Sequence, residues 1–223
     1  MLAGELGSRS SPDASGAIIR LQTEGSPSAA QNVALSIWKC HFFYGVVMAI
    51  DRNIIKKLIS DYEQDIRGNI YSFHLSNDET ISFSIDEKDV PHLMGIRKLK
   101  QLRQVQNKSA TAVYQMLKDG RISISHIEPY KESYKKVMNF SHIVSILHCG
   151  DAVKIVKKIG SIKSTYLFYL DHQPNEIIHL GVVKDGDRWH PETLLINQRR
   201  NVTAYIDGQL PVEIKSMDVT KKQ

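Results

Sequence analysis

KSTYLFYLDHQPNEIIHLGVVKDGDRWHPETLLINQ, residues 163–198, carries the pattern that decides the fold. Ser164 to Leu170 is rich in β-branched and aromatic residues. It stops at Asp171-His172-Gln173-Pro174-Asn175, a run of turn formers, so it reads as a strand followed by a loop. Glu176 to Val183 rises again and ends at Asp185-Gly186, a favoured tight-turn pair, which makes the two runs a hairpin. Trp189-His190-Pro191-Glu192-Thr193 then leads into a third strand. Side chains alternate along a strand. Ile178, Leu180 and Val182 therefore share a core face, while His179 and Gly181 take a wetter one. The same count sets Tyr166, Phe168 and Leu170 against Thr165 and Tyr169, and Leu194 and Ile196 against Thr193 and Asn197. One sheet face thus collects Thr165, His179, Thr193 and Asn197.

Upstream, Asp51 can cap a helix to about Gln64, whose Ile54, Ile55, Leu58, Ile59 and Tyr62 make a 3.6-residue stripe. Tyr71, Phe73 and Leu75, then Ile81, Phe83 and Ile85, alternate with polar residues on either side of Ser76-Asn77-Asp78, a second hairpin with one apolar face. Asp86 or Asp89 caps a short helical segment, Val90-Pro91-His92-Leu93-Met94, with Pro91 in its first turn and Gly95 as its stop. Ser109 caps a helix ending at Asp119-Gly120. Ser125 and Glu128 have capping-box spacing before a longer helix from about Pro129 to Leu147. These elements predict an α+β domain, with a mainly antiparallel sheet packed against several helices.

The chain has 223 residues, 42% of them hydrophobic, enough for one domain with a core. Residues 1–47 differ from the rest. Gly4 to Ala30 is Gly/Ser/Ala/Pro-rich without apolar periodicity, so disorder is expected there. The apolar run from Val33 to Ile50 is broken by Lys39 and His41 and falls short of the roughly 20 residues of a membrane span. Met48-Ala49-Ile50-Asp51 reads as a protein start, which makes 1–47 an extension or a misassigned start. The expected division is therefore 1–47, a domain over 48–200, and a C-terminal tail over 201–223. The extension carries three basic and three acidic residues, so the net charge of +5 belongs to residues 48–223 and modestly favours a polyanionic partner. Cys40 and Cys149 have neither metal spacing nor a CxxC motif, which suits a reducing cytoplasm.

The motifs of several enzyme classes are absent from the sequence. It has nine histidines but no HExxH, no paired cysteines, no phosphate-cradling Gly-rich loop and no GxSxG elbow. Neither a metal nor an organic cofactor is called for. What remains is histidine, lysine, threonine and tyrosine near basic clusters, the repertoire of metal-independent RNA cleavage. That reaction needs a base for the ribose 2′-hydroxyl, an acid for the departing 5′-oxygen, and cations or hydroxyls around the pentavalent phosphate. Histidine suits either proton role.

The order of elements, together with His92-Leu93-Met94-Gly95-Ile96 and Trp189-His190-Pro191-Glu192-Thr193, resembles the phage-associated nuclease domains of the barnase/EndoU/colicin/RelE-like (BECR) group over about residues 50–200. The resemblance implies a helical N-terminal part on a small antiparallel sheet. It also implies metal-free RNA cleavage, often by a toxin or phage-conflict effector that a cognate immunity or antitoxin protein restrains. The residues themselves nominate His92 and His190 for acid/base work, His190 sitting in extended backbone before Pro191. Lys163, Thr165 and Thr193 are candidates to hold the phosphate. Arg97, Lys98, Lys100 and Arg103, within a stretch free of acidic residues, with His179 and Asn197 on the polar sheet face, are candidate RNA contacts. Each has a plainer reading as well: a backbone-bonded histidine at a helix start for His92, a loop role for His190, a solvated helix face for the basic stretch. The substrate expected is RNA, tRNA included, with no membrane. The alternative is a non-catalytic RNA- or protein-binding module on the same fold.

Overall fold

A computed structural model describes residues 52–96, 103–122, 132–173, 176–198, 201 and 203–222. The first helix, α1 (Arg52–Asp65), buries Ile55, Leu58, Ile59 and Tyr62, the stripe read from the sequence. It ends where Ile66 and Arg67 both donate backbone N–H bonds to the Tyr62 carbonyl, and Gly68 (φ +76°) turns the chain into the first strand. The phenol of Tyr62 donates to the Ile85 carbonyl at 2.9 Å, which ties the helix to the end of the first hairpin.

That hairpin is β1 (Asn69–Leu75) and β2 (Thr80–Phe83), antiparallel, with Tyr71 opposite Phe83 and Phe73 opposite Ile81. Two short helices follow, α2 (Val90–Leu93) and α3 (Arg103–Gln106), then α4 (Ala110–Lys118). The Ser109 hydroxyl accepts from the Ala112 amide as an N-cap should. The single helix expected over 129–147 is instead α5 (Glu132–Met138), a 3-10 turn (Phe140–His142) and α6 (Ile143–Cys149). The break falls at Asn139, whose side-chain amide bonds back to the Lys135 carbonyl at 3.0 Å and competes with continued helix. Residues 123–131, with the capping-box pair, lie outside the described residues, as does Asp51.

The predicted strands of residues 163–198 form three neighbouring strands of the second sheet, β4 (Tyr166–Gln173), β5 (Glu176–Asp185) and β6 (Arg188–Gln198), the last two joined by a turn with Gly186 at φ +58°. β3 (Asp151–Lys154) and β7 (Leu210–Val212) complete it in the order β6-β5-β4-β3-β7, all antiparallel. The last strand, β8 (Ile214–Lys221), pairs with β1, giving a three-stranded sheet β2-β1-β8. Residues 210–221 are therefore built into both sheets, which corrects the expectation of a tail after residue 200. Their signal was faint because these strands are held by backbone pairing, with Val212 the one fully buried apolar side chain among them.

The two sheets share one core. Phe168 of β4 meets Phe73 at 4.5 Å and Phe83 at 6.2 Å between ring centroids, and α1, α4, α6 and the 3-10 turn close the remaining sides. The other face of the five-stranded sheet is covered as well. Val153, Leu167 and Leu195 pack there against Ile155, Ile159, Ile162, Tyr205 and Ile206. Buried Gln209 fixes this cover: its carbonyl accepts from the amides of Val156 (2.9 Å) and Lys157 (3.0 Å), and its amide donates to the Lys157 carbonyl (3.0 Å).

Candidate active site along the outer strand of the five-stranded sheet

The second small core overturns one prediction directly. His179, expected on a wetter face and among the RNA contacts, is completely buried, with its ring near those of Tyr169 (6.0 Å) and Tyr205 (5.4 Å). Burial pushes its pKa down to about 4. A side chain with no solvent-facing surface does not meet RNA in this fold. The alternation was read correctly; the residues that cover the face come from segments distant in sequence.

β6 departs from simple alternation at one point. Gly181 pairs with Thr193 but Val182 pairs with Pro191, so Glu192 is an extra residue in a β-bulge. Because Val183 then pairs with His190, and Gly181 and Val183 share a face, His190 and Thr193 share it too, although three residues separate them. The displaced Glu192 carboxylate reaches back to the chain entering β4. It accepts from the Lys163 amide at 3.2 Å and from the Ser164 hydroxyl at 2.5 Å. Only glycine fits opposite: a Cβ on Gly181 would lie 2.3 Å from Ser164 Oγ and 3.0 Å from Thr193 Cγ2.

Two helices close on this strand. α2 packs against β6, and Asp89, the residue just before it, lies within electrostatic reach of His190. Asp89 is no side-chain cap for α2; its carboxylate accepts from the Asp86 amide at 2.9 Å. Burial raises its pKa, while that hydrogen bond and the charges of Lys88 and His190 act in the opposite sense. Gly95 (φ +69°) turns the chain beneath α5, where a Cβ would sit 3.1 Å from Ser133 Oγ and 3.3 Å from Lys136 Cδ. The Ser133 hydroxyl donates to the Gly95 carbonyl at 3.1 Å. This close approach lays Lys136 along β6, where its ammonium donates to Thr193 Oγ1 at 3.3 Å and pairs with Glu132 at 2.7 Å.

Of the five residues nominated for catalysis, His190 and Thr193 thus stand on one face. His92 is exposed on the helix packed against their strand, and Lys163 and Thr165 lie in the segment that Glu192 anchors. The Lys163 side chain is exposed; Thr165 is half-buried, and its amide donates to the Val182 carbonyl at 2.8 Å. Asn197 is half-buried opposite Ile177, and Arg103 is exposed at the start of α3. Arg97, Lys98 and Lys100 lie outside the described residues. Two surface concavities, of about 500 and 400 Å³, are lined by none of these side chains. Among the described residues, no three His, Cys, Asp or Glu side chains are grouped to hold a metal ion.

Set against known families, residues 54–217 match the model of the phage-Barnase-EndoU-ColicinE5/D-RelE like nuclease4 family, PBECR4. The chain belongs to the PBECR4 nuclease family. No curated protein and no solved structure matches it. The PBECR4 match runs from within α1 to the first half of β8, so both sheets belong to the nuclease domain, and nucleic acid is the substrate class of the family. Lys136, Asp89, Ser164 and Glu192 escaped the sequence reading as members of the candidate site. Lys136 follows Lys135 in a helix and reads as part of a solvated face, and the other three read as cap, strand and loop residues. One signal was available, the Glu132/Lys136 spacing next to the apolar Val137.

Proposed function

We propose that this PBECR4 domain is a metal-independent endoribonuclease acting by attack of the ribose 2′-hydroxyl. The observation that carries the reading is the bulge at Glu192, through which His190 and Thr193 share a face beside the helix bearing His92. In the reaction the 2′-oxygen bonds to phosphorus and the bond to the 5′-oxygen breaks. One histidine takes the 2′-hydroxyl proton as base, and the other donates a proton to the departing 5′-oxygen, leaving a 2′,3′-cyclic phosphate and a 5′-hydroxyl. Thr193 and Thr165 donate hydroxyl hydrogen bonds to non-bridging oxygens, with Lys163 supplying positive charge from the loop. Arg103 and Asn197 contact flanking nucleotides. The word phage in the family's description supports a role as a phage or mobile-element effector in the cytoplasm, restrained by a cognate immunity protein.

The test is incubation of the full chain with total RNA and with tRNA in EDTA, beside a His92→Ala/His190→Ala double variant. Cleavage that persists in chelator, yields cyclic phosphate ends and disappears in the folded double variant is the expected result. Full cleavage by the double variant removes the mechanism. An intact wild type that binds RNA without cutting it moves the domain to a non-catalytic binding module.

A further inference from the structure

Lys136 is the most deeply buried cation among the described residues, with 2% of its side chain exposed, whereas the carboxylate paired with it, Glu132, is 60% exposed. The two partners are thus unequally held. The lysine stem is packed beneath the Gly95 turn, and its ammonium is fixed beside Thr193 Oγ1. Glu132, in the first turn of α5, reaches it from the solvent side at 2.7 Å, and its own side chain stays open to water. A buried ammonium favours an anion beside it, so the position the carboxylate holds is one a second anion can take.

We infer that Glu132 is a stand-in for phosphate: Lys136 Nζ and Thr193 Oγ1 form an anion site that the Glu132 carboxylate fills in the free protein and a phosphodiester of the nucleic acid fills in the complex. This deepens the endoribonuclease reading and rests on it for the identity of the phosphodiester. The geometry has three features that fit the exchange. The cation is preorganised and shielded, so an incoming phosphate meets it in a medium of low dielectric, where a charge-assisted hydrogen bond is strong. The hydroxyl beside it, which in the free protein donates only a long bond to the Leu194 carbonyl (3.4 Å), supplies a second donor on the face that carries His190. The displaced carboxylate is surface-bound and returns when product leaves. Glu132 therefore acts on the site as a competitor for the phosphate position, and its removal tightens anion binding.

The experiment is thermal unfolding of the full chain against inorganic phosphate, with chloride at matched ionic strength, for wild type, Glu132→Gln and Asp61→Asn. Asp61 pairs with Lys57 at the same i, i+4 spacing and 3.0 Å, but both side chains are about two-fifths exposed, so that variant controls for the loss of one negative charge. Removing a charged competitor from a buried cation should lower the phosphate concentration giving half the stabilisation about tenfold in Glu132→Gln. Asp61→Asn should match wild type, and adding Thr193→Val to Glu132→Gln should reverse most of the gain. Equal phosphate dependence in wild type and Glu132→Gln, or an equal gain in Asp61→Asn, overturns the inference. RNA cleavage by the same preparations separates the two claims. Cleavage without a phosphate gain in Glu132→Gln leaves the nuclease and removes the stand-in. A phosphate gain in a protein that does not cleave supports the anion site and removes the nuclease.

Discussion

Replacing His179 by leucine should stabilise the domain and remove an acid-sensitive component of its stability. The imidazole is fully buried, and neither ring nitrogen makes a well-formed hydrogen bond; the Leu195 backbone opposite offers at most a weak one. Its surroundings are the rings of Tyr169 and Tyr205. Burial lowers its pKa from 6.5 to about 4, offset only in part by the Leu195 backbone opposite. In the unfolded chain the same group titrates near 6.5, so between the two values the unfolded state binds more protons and stability rises with pH. The contribution is complete above 6.5, declines as pH falls, and levels off below about 4. Linkage puts the loss relative to pH 8 at about 2 kcal/mol by pH 5 and about 3 kcal/mol by pH 4. Leucine leaves no unsatisfied nitrogen and should add about 1 kcal/mol or more at pH 8 as well. Urea unfolding of wild type and variant at pH 8, 6 and 5 measures the gap directly, and carboxylates common to both proteins cancel in the difference. The gap should widen by about 2 kcal/mol between pH 8 and pH 5. A constant gap would show that His179 finds a proton-accepting partner or water in the folded state, and the burial argument would fall.

Three further outcomes follow from particular contacts. Single His190→Ala and His92→Ala variants should each lower kcat about 10²- to 10⁴-fold on an RNA oligonucleotide. Their melting temperatures should stay close to wild type, because one side chain is exposed and the other half-buried; equal loss in both rate and stability would make the residues structural. Gly181→Ala should cost about 1–3 kcal/mol, because its Cβ would strike Ser164 Oγ at 2.3 Å while that hydroxyl is tied to Glu192. Denaturant unfolding checks it, and adding Ser164→Ala should recover part of the loss. Gln209→Ala removes three hydrogen bonds from the Val156–Lys157 segment. Amide exchange there should quicken while exchange in β1 stays slow, and protection equal to wild type would mean the small core alone holds the loop.

The fold was legible wherever side-chain burial follows a local period. The α1 stripe and the alternation of Tyr71, Phe73, Leu75, Ile81 and Phe83 all reappear as buried faces, as do the strands of residues 163–198. What was not legible depends on partners far along the chain. β8 joins β1 by backbone pairing across some 140 residues, and a strand such as Ile214–Lys221, mostly exposed, carries no apolar period to reveal it. The second face of the large sheet looked polar because its cover comes from Ile155, Ile159, Ile162, Tyr205 and Ile206, which lie in loops and turns outside any helix or strand. His179 was misjudged for that reason alone.

The site failed to show itself for a different reason, which lies in the bulge. Strict alternation separates His190 from Thr193, since positions an odd number apart point to opposite faces. One extra residue at Glu192 reverses that parity for everything before it, and no pattern in Pro191-Glu192-Thr193 announces where pairing slips. Gly181 is the requirement that fixes it, because the space its missing Cβ leaves is filled by Ser164 and Thr193. The Ser164 bond then holds the Glu192 carboxylate out of the strand. Gly95 works in the same way on the opposite side, letting α5 descend until Lys136 reaches Thr193. Two glycines at close approaches, and not the histidines themselves, therefore decide which side chains come together in the candidate site. A change at either glycine should disturb the candidate site before it unfolds the domain.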